Sequence, residues 1–479
     1  MEETDFTVDR GLKNVVLLVT TIASFLVAFM LSAVNVALPS IGLEFGMQSI
    51  ELGWVQASYL LASVVLLVPS GRIGDIKGRK KVFLLGLIIY IIPSAIILFP
   101  ITKEILLILR IAQGAGAAMI VSIVVAILTS VFPRKERGKV LGINTAVVYV
   151  GLSLGPFFGG ILTQNFGWRS IFLVNVPFGI LAIALSIYRL KGDWADAVDS
   201  RFDFAGAVVY GFALSSMMYG VSTLSTVISE NSILSLDIIL TPALTVTIGV
   251  LSMLAFVLLE LKSSFPILDV RLFRHNIAFT FSNFATLINY SATYALSFLL
   301  SLYLQLVKGI EPEVVGLLLI PMPIVQAVLS PFTGWLSDRI SPRIVSSIGM
   351  GITAIGMSLF AFFSNTPDNT FLTINLVFMG IGFSLFSSPN TNAIMCSVDK
   401  KDFGTASAIL STMRQLGMMT STFIATIVIT SFVGGVEISY APIPLLVAGI
   451  SEAFVISAVL CFIGVFLSLV GVTKDRSNR

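Results

Sequence analysis

The most prominent pattern in the chain is a series of long apolar runs separated by short polar segments. A helix needs about 20 apolar residues to cross a bilayer, and these runs reach that length. The pattern predicts an all-α integral membrane protein with about fourteen transmembrane helices. The expected spans are residues 15–40, 52–71, 82–100, 104–132, 139–162, 170–189, 204–223, 240–261, 277–305, 314–336, 343–364, 370–396, 403–433 and 448–472.

The composition agrees with a membrane protein and excludes other classes. Of the 479 residues, 56% are hydrophobic and 11% are charged, and the mean hydropathy is +0.97. An average soluble domain has about 25% charged residues. The deficit argues against a disordered chain, a nucleic-acid-binding protein and an ordinary cytosolic enzyme. The net charge of +3 is too small to indicate a polyanionic partner.

Basic residues are distributed unevenly between the two sides of the predicted spans. With fourteen spans, 24 of the 29 lysines and arginines fall on the side of both chain ends, and three (Lys103, Arg169 and Lys308) fall on the other. Positively charged loops stay in the cytoplasm. We therefore expect both termini to be cytoplasmic and the protein to be a multi-pass component of the plasma membrane.

Two loops on the basic side repeat one motif. The loop after the second span reads Gly71-Arg-Ile-Gly-Asp75-Ile-Lys-Gly78-Arg79-Lys80, and the loop after the tenth reads Gly334-Trp-Leu-Ser-Asp338-Arg339. Transporters built from repeated halves show such internal repetition. Each aspartate is able to pair with an arginine or to accept hydrogen bonds at a helix N-terminus, which predicts a conformational latch. The alternative is a basic loop that only sets orientation.

These loops resemble the major facilitator superfamily, and further segments extend the resemblance over nearly the whole chain. The fourth span contains Arg110-Ile-Ala-Gln113-Gly114-Ala-Gly116, similar to the R-x-x-Q-G-x-G signature of the family. The fifth contains Gly151-Leu-Ser-Leu-Gly155-Pro156-Phe-Phe-Gly159-Gly160, similar to its antiporter signature. Patterns of the fourteen-span drug:proton antiporter branch are resembled by Asn35-Val-Ala-Leu-Pro39, Trp168-Arg169, Asn175-Val-Pro177 and Arg414-Gln415-Leu-Gly417.

The resemblance implies two six-helix bundles around a central cavity, with two extra helices between the bundles. It also implies export of small amphiphilic molecules, of the multidrug efflux type, by alternating access. The energy source would be a proton gradient, with no cofactor, and we expect a monomer. The parts would be tails at 1–14 and 473–479, bundles at 15–189 and 276–472, and a linker at 190–262 that holds the spans 204–223 and 240–261.

The glycine-rich segment of the fifth span suggests close helix packing. Small residues at this spacing let helices approach closely, and a proline weakens the helix there. In the family, the matching segment is taken as a gate between the cavity and the helix interface. Tight packing alone is compatible with that role, since a gate must also pack. The gate residues would be Gly151, Gly155, Pro156, Gly159 and Gly160.

Two arginines, Arg110 and Arg414, lie inside predicted spans. Charges within a membrane are costly and usually face a bundle interior or a watery cavity. For Arg110, with Gln113 one turn further on, we favour a role in coupling, in anion binding or in orienting a proton path. The alternative is a structural clamp, and for Arg414 the two interpretations stay equally open.

An acidic residue is missing where the antiporter branch usually has one. The first span of that branch carries an Asp five residues before the motif Asn, and this chain has Met30 there. A proton-coupled antiporter needs a carboxylate that binds and releases a proton. The best remaining candidates are Glu104 and Glu452, which are otherwise solvated helix ends.

With two arginines and no acid within the spans, the cavity is expected to be net positive. We therefore expect it to favour neutral, zwitterionic or anionic amphiphiles over cations. Some of the polar residues in the core spans would line the cavity, and others would join helices. These candidates are Asn35, Gln56, Tyr59, Asn144, Tyr149, Asn289, Tyr290, Tyr294, Gln326, Asn390 and Asn392.

The chain shows no motif for an enzyme, for ATP binding or for a metal. It has one histidine, His275, and its two cysteines, Cys396 and Cys461, lack metal-ligand spacing. It contains neither a P-loop nor an HExxH motif. Export of one endogenous metabolite or lipid-like molecule, and a non-transporting sensor or scaffold of the same fold, remain alternatives. The apolar loop at 433–444 would be either an element over the cavity mouth or a surface loop.

Overall fold

The computed structural model describes residues 10–190, 192, 202–229, 236–263, 266–268, 270–362, 368–398 and 403–470. Within these ranges, the side chains at 10, 134, 135, 137–139, 224–229, 236–239, 275, 338, 403, 404 and 470 are not described. The expected tail at 473–479, most of the tail at 1–14 and the start of the linker lie outside the described residues.

The described residues are helical along almost their whole length. The first half contains α1 (Arg10–Phe45), α2 (Ser49–Lys77), α3 (Arg79–Ile96), α4 (Lys103–Val131), α5 (Arg134–Phe166), α6 (Ser170–Leu173) and α7 (Asn175–Arg189), and it is followed by α8 (Phe204–Ser229) and α9 (Leu236–Lys262).

The second half contains α10 (Arg271–His275), α11 (Ile277–Thr293), α12 (Leu296–Leu302), a π-helical turn (Tyr303–Val307), α13 (Pro312–Leu319), α14 (Pro321–Arg339), α15 (Pro342–Ala361), α16 (Asn369–Cys396), α17 (Phe403–Val433), a 3₁₀ turn (Ile438–Tyr440) and α18 (Ile443–Val470).

The expected all-α membrane fold is confirmed. Among the described residues, thirteen helical segments are long and apolar enough to cross a membrane, by length and composition. Helix α3 is not among these thirteen, because its 18 residues begin with three basic residues, Arg79, Lys80 and Lys81. The described part of the chain contains no strand, only an isolated bridge between Gln48 and Glu437.

Three spans that were expected to be continuous are interrupted. The span at 170–189 divides into α6 and α7, and the span at 314–336 divides into α13 and α14. Pro177 and Pro321 have no backbone N–H, so each breaks the hydrogen-bond ladder one turn earlier. The span at 277–305 divides into α11, α12 and the π-helical turn without a proline.

The two halves repeat one pattern of helix pairing. In the first half, α1 packs on α5, and both α2 and α3 pack on α4. In the second half, α11 packs on α17, and both α14 and α15 pack on α16. Helix α7 joins α3 as α18 joins α15. The same pairing of helices therefore occurs in both halves of the chain.

The additional helices α8 and α9 pair with each other, and α8 packs against both α2 and α17. Trp54 Nε1 of α2 donates to Ser222 Oγ of α8 at 2.7 Å. Val64 of α2, Tyr210 of α8 and Ile409 of α17 belong to one buried apolar cluster. The pair therefore covers one of the seams between the two halves.

Close contacts join the halves at one end of the molecule. We call the end with Lys77–Lys81 the basic side and the other end the opposite side. On the opposite side, a Cβ added to Gly160 of α5 would lie 2.3 Å from Pro312 O, and one added to Gly316 of α13 would lie 2.2 Å from Pro156 O. Real Cβ atoms do not approach so closely, so each helix needs its glycine for this contact.

The loop after α17 joins the halves a second time on the opposite side. Ile438 N donates to Met47 O at 3.1 Å, and Gln48 and Glu437 form the antiparallel bridge. Ile438 is buried, and its side chain lies against Gly42 of α1. The loop thus docks on the turn between α1 and α2 and helps to close the opposite side.

Replacing Gly155 by alanine should lower the melting temperature of the purified protein in detergent. The new Cβ would lie 1.9 Å from Ser32 Oγ and 2.8 Å from Phe29 O, so α1 and α5 would have to separate. Overpacking of this kind typically costs about 1–3 kcal/mol.

The matched control is Gly142→Ala in the same helix, where an added Cβ meets no described atom within 4 Å. Alanine favours a helix over glycine by about 1 kcal/mol, so this variant should melt at the same temperature or higher. Equal melting temperatures for the two variants would contradict the packing argument.

Candidate functional site: a central cavity and two in-membrane arginines

A cavity of about 380 Å³ lies between the two halves. Helices α1, α2, α4 and α5 form one wall, and helices α11 to α14, α16 and α17 form the other. Seven of the eleven cavity candidates from the sequence line it, namely Asn35, Tyr59, Asn144, Tyr149, Tyr290, Tyr294 and Gln326.

The other four candidates, Gln56, Asn289, Asn390 and Asn392, do not line the cavity. Asn390 Nδ2 donates to Thr286 Oγ1 of α11 at 2.7 Å, and Asn392 Nδ2 donates to Ser337 Oγ of α14 at 2.9 Å. These two amides therefore join helices of the second half.

Asn289 is fully buried, and neither atom of its amide group has a hydrogen-bond partner among the described residues. It precedes Tyr290 by one residue, and one residue turns a helix by about 100°. Tyr290 faces the cavity, so Asn289 faces the interior of the second bundle instead.

Sequence reasoning missed the small and apolar residues of the cavity wall. On α1, Ser24, Ala28 and Ser32 line the cavity at a four-residue spacing, which is the signal that a helical face would give. Other missed residues are Ser63, Val124, Leu152, Thr293, Met322, Phe383, Ser411, Gln415 and Met418.

Arg110 of α4 is buried, with 1% of its surface exposed. Its Nε donates to Val55 O at 2.9 Å, Nη1 to Gln113 Oε1 at 3.0 Å and Nη2 to Gln56 Oε1 at 3.1 Å. The guanidinium also lies 4.5 Å from the centre of the Tyr59 ring. No carboxylate contacts it among the described residues, so neutral oxygens and a ring face hold its charge.

The hydrogen bonds of this arginine continue in two directions. Gln113 Nε2 donates to Ser94 Oγ at 2.8 Å, and Asn175 Nδ2 donates to the same oxygen at 3.1 Å. On the other side, Gln56 Nε2 donates to the Tyr294 hydroxyl, which belongs to the second half and lines the cavity. The network therefore connects four helices of the first half to the cavity wall of the second.

Arg414 of α17 is partly exposed and lines the cavity. Its Nη2 donates to Thr391 Oγ1 at 2.7 Å, and its guanidinium lies 5.9 Å from the centre of the Tyr290 ring. Its Nε is buried without a hydrogen-bond partner in the described part of the chain. Among the described lining residues, it is the one charged side chain, and none is acidic.

The expected gate glycines separate into two faces of α5. Gly151, Gly155 and Gly159 lie against α1, where an added Cβ would come within 3.1 Å of α1 atoms. Gly160 lies against α13 of the second half, and Pro156 lines the cavity. One helix thus packs within its own half, contacts the other half and forms part of the cavity wall.

The first expected latch forms a local pair. Arg79 Nη2 donates to Asp75 Oδ1 at 2.7 Å, four residues earlier in the chain, and Arg79 Nη1 donates to Ser130 Oγ of α4. Gly78 has φ +107°, a value that suits glycine in the turn between α2 and α3. Lys80 Nζ donates to Leu190 O. These contacts fasten the α2–α3 turn to other helices of the first half.

The second expected latch is described only in part. Gly334 of α14 lies against α16, with Ser388 Oγ 3.0 Å from an added Cβ, as Gly71 of α2 lies against Ser122 of α4. The Arg339 guanidinium lies 4.1 Å from the centre of the Trp335 ring. The side chain of Asp338 lies outside the described residues.

The candidate proton carriers, Glu104 and Glu452, do not face the cavity. Both side chains are exposed, and neither lines the cavity. Met30, at the position of the missing Asp, is buried in the core of the first half and does not line it either. The geometry therefore argues against both glutamates as cavity carboxylates.

Given the transport that the sequence leads us to expect, replacing Arg110 by lysine should reduce its rate at least tenfold. Lysine keeps the positive charge but loses the planar fork that serves Val55 O, Gln113 and Gln56 at once, and unsatisfied buried acceptors cost about 1–3 kcal/mol each. The measurement is uptake into proteoliposomes at matched protein content, and wild-type rates for the lysine variant would show that charge alone is sufficient.

Comparison with known proteins gives the same family along most of the chain. The family model of the Major Facilitator Superfamily matches residues 20–272 and 283–479. The chain is 28% identical over 470 residues to the riboflavin transporter RibZ of Clostridioides difficile (strain 630), which covers 97% of this chain and 99% of that protein. It is 32% identical over 406 residues to the multidrug resistance protein Stp of Mycobacterium tuberculosis (strain ATCC 25618 / H37Rv), covering 84% of this chain and 73% of that protein.

A similar fold occurs among solved structures. A bacterial homolog of the human lysosomal transporter Spinster, in an inward-facing and unoccupied conformation, has a TM-score of 0.67 at 16% identity, with 97% of each chain covered. At that identity the likeness concerns the fold alone. The match of the family model to most of the chain shows that this multi-pass membrane protein is a transporter that belongs to the Major Facilitator Superfamily.

Proposed function

We propose that this transporter exports small amphiphilic molecules by alternating access, in the manner of multidrug efflux proteins. The observation that supports the proposal is the cavity of about 380 Å³ between the halves, whose wall combines apolar, aromatic and amide side chains. Mostly apolar pockets of about 300–1,000 Å³ suit drug-sized ligands. A molecule with both polar and apolar parts would find partners for each in this wall.

Alternating access requires one conformation open to each side of the membrane, and the contacts between the halves support one of these two conformations. The halves are joined on the opposite side through Gly160 and Pro312, and through Met47 and Ile438. We propose that this state is open toward the basic side and that the basic side is cytoplasmic, with the protein acting as a monomer in the plasma membrane. A substrate would then enter from the cytoplasm.

A proton gradient is the energy source that we propose, following the resemblance to the drug:proton antiporter branch. The described cavity wall contains no carboxylate. The proton-binding group would therefore lie outside this wall.

The names of two relatives support different substrate ranges. The name of the Mycobacterium relative supports multidrug export. The name of the Clostridioides relative, which matches almost end to end, supports a second candidate, the transport of one endogenous metabolite. Transport of several unrelated amphiphiles would favour the first candidate, and transport of one would favour the second.

Reconstituted protein should accumulate at least one amphiphile when a pH gradient is imposed. The assay uses proteoliposomes with an internal pH dye and a panel of cationic, neutral and anionic amphiphiles. A protonophore should abolish both accumulation and dye response. Accumulation that ignores the pH gradient would overturn proton coupling and leave export standing.

Replacing either Glu104 or Glu452 by glutamine should leave proton-driven transport within about twofold of wild type. Both carboxylates are exposed and away from the cavity, so the loss of either charge should change little. The readout is the dye response in the same proteoliposomes. Abolished proton movement in one variant would identify that glutamate as the coupling group despite its position.

A disulfide across the opposite side should stop transport reversibly. Gln48 and Glu437 form a backbone bridge, and bridged residues lie close enough for a pair of cysteines to join. Oxidation of the double variant Gln48→Cys with Glu437→Cys should abolish transport, and a reducing agent should restore it. The single variants, which retain the native Cys396 and Cys461, are the controls, and full activity of the oxidised pair would contradict opening on this side.

A further inference from the structure

The guanidinium of Arg414 has much of its hydrogen-bonding capacity unused. Arginine carries five N–H donors in a planar fork. Among the described residues, one hydrogen bond is made, from Nη2 to Thr391 Oγ1 at 2.7 Å, and Nε is buried without a partner. The side chain reaches the cavity, so its remaining donors other than the buried Nε are available to a molecule bound there.

Among the described residues, no acidic side chain offers a counter-charge to Arg414. The described lining of the cavity contains no Asp or Glu, and the second arginine in the membrane, Arg110, is held by neutral acceptors behind the wall. An unpaired charge within a membrane is costly, and pairing with an anion offsets that cost. The surroundings of Arg414 thus favour an anionic group beside its guanidinium.

The surroundings of the arginine fit a flat apolar body beside the anion. The Tyr290 ring, 5.9 Å from the guanidinium, packs edge-to-face on Phe383 with 5.6 Å between ring centres. Both rings and Met418 line the cavity. Next to the arginine in sequence, Gln415 also lines it, and its Oε1 is buried without a hydrogen-bond partner among the described residues.

We propose that Arg414 is a substrate-binding residue that takes the anionic group of an amphiphile whose planar apolar part packs on Tyr290 and Phe383. This inference rests on the proposed export function and narrows it, because the preferred substrates become anionic amphiphiles. Neutral molecules of the same shape bind more weakly, and cations are disfavoured by repulsion in a cavity without an acid.

The test compares two dyes that share one ring system. 8-Anilinonaphthalene-1-sulfonate carries a sulfonate, and N-phenyl-1-naphthylamine is the same skeleton without it. Binding of each dye is measured to the full chain in lipid nanodiscs, with empty nanodiscs as the baseline. Wild type should bind the sulfonate dye at least about tenfold more tightly, as a charge-assisted hydrogen bond of about 1.5–3 kcal/mol implies.

The variant Arg414→Gln should lose about 10- to 100-fold in affinity for the sulfonate dye and keep its affinity for the neutral dye within about twofold. Retained binding of the neutral dye also shows that this variant is folded. The variant Arg414→Lys keeps the positive charge without the planar guanidinium. Its affinity for the sulfonate dye should lie between those of wild type and Arg414→Gln. The control is Arg271→Gln, which removes an exposed arginine that donates to backbone carbonyls far from the cavity lining, and it should bind both dyes like wild type.

Equal affinity of wild type for the two dyes would overturn the proposal, and so would an unchanged preference in Arg414→Gln. Where Arg414→Gln loses both dyes, the lysine variant decides: a retained preference for the sulfonate supports the proposal, and a lost preference overturns it. Export is judged separately, by dye movement in proteoliposomes. If the neutral dye is transported and wild type shows no preference for the sulfonate dye, only the proposed anion site is overturned. If the sulfonate dye binds as expected and neither dye is transported, only the proposed export function is contradicted.

Discussion

The structure depends on one constraint: inside a bilayer, every backbone N–H and C=O group must find its partner within the protein. An unsatisfied group costs several kcal/mol there, so the chain crosses as helices. The same constraint keeps charges at the helix ends, where water reaches them. Two arginines, Arg110 and Arg414, depart from it because they lie within predicted spans, and each departure needs its own physical reason.

The two arginines are stabilised in different ways. Arg110 is buried, and three of its nitrogens donate to acceptors fixed by α2 and α4. Its charge is therefore held within the first half by fixed hydrogen bonds. The hydrogen bond from Gln56 to Tyr294 connects this network to the cavity wall. Arg414 makes one described hydrogen bond and faces open space. A charge with fixed acceptors organises the protein, whereas a charge with free donors is suited to a mobile partner.

The helices could be predicted from the sequence because each apolar run is a local property, and the distribution of basic residues supports the predicted number of helices. The residues that line the cavity could not be predicted in the same way. Asn35 and Asn390 are the same residue type in predicted spans, yet the first lines the cavity and the second joins α16 to α11. Which side an amide faces depends on the rotation of its helix, and that rotation is set by packing against other helices. Serines such as Ser24 were missed because a small hydroxyl occurs equally on packed faces.

Helix α5 shows why packing and function are inseparable in this fold. Its glycines bring it against α1 within the first half, and Gly160 brings it against Pro312 of the second. The same helix presents Tyr149 and Pro156 to the cavity. A close-packed helix moves as a unit, because interiors at this density transmit displacement rather than absorb it. Separation of α5 from α13 on the opposite side must therefore shift one wall of the cavity, and a molecule bound against that wall must favour one of the two arrangements over the other.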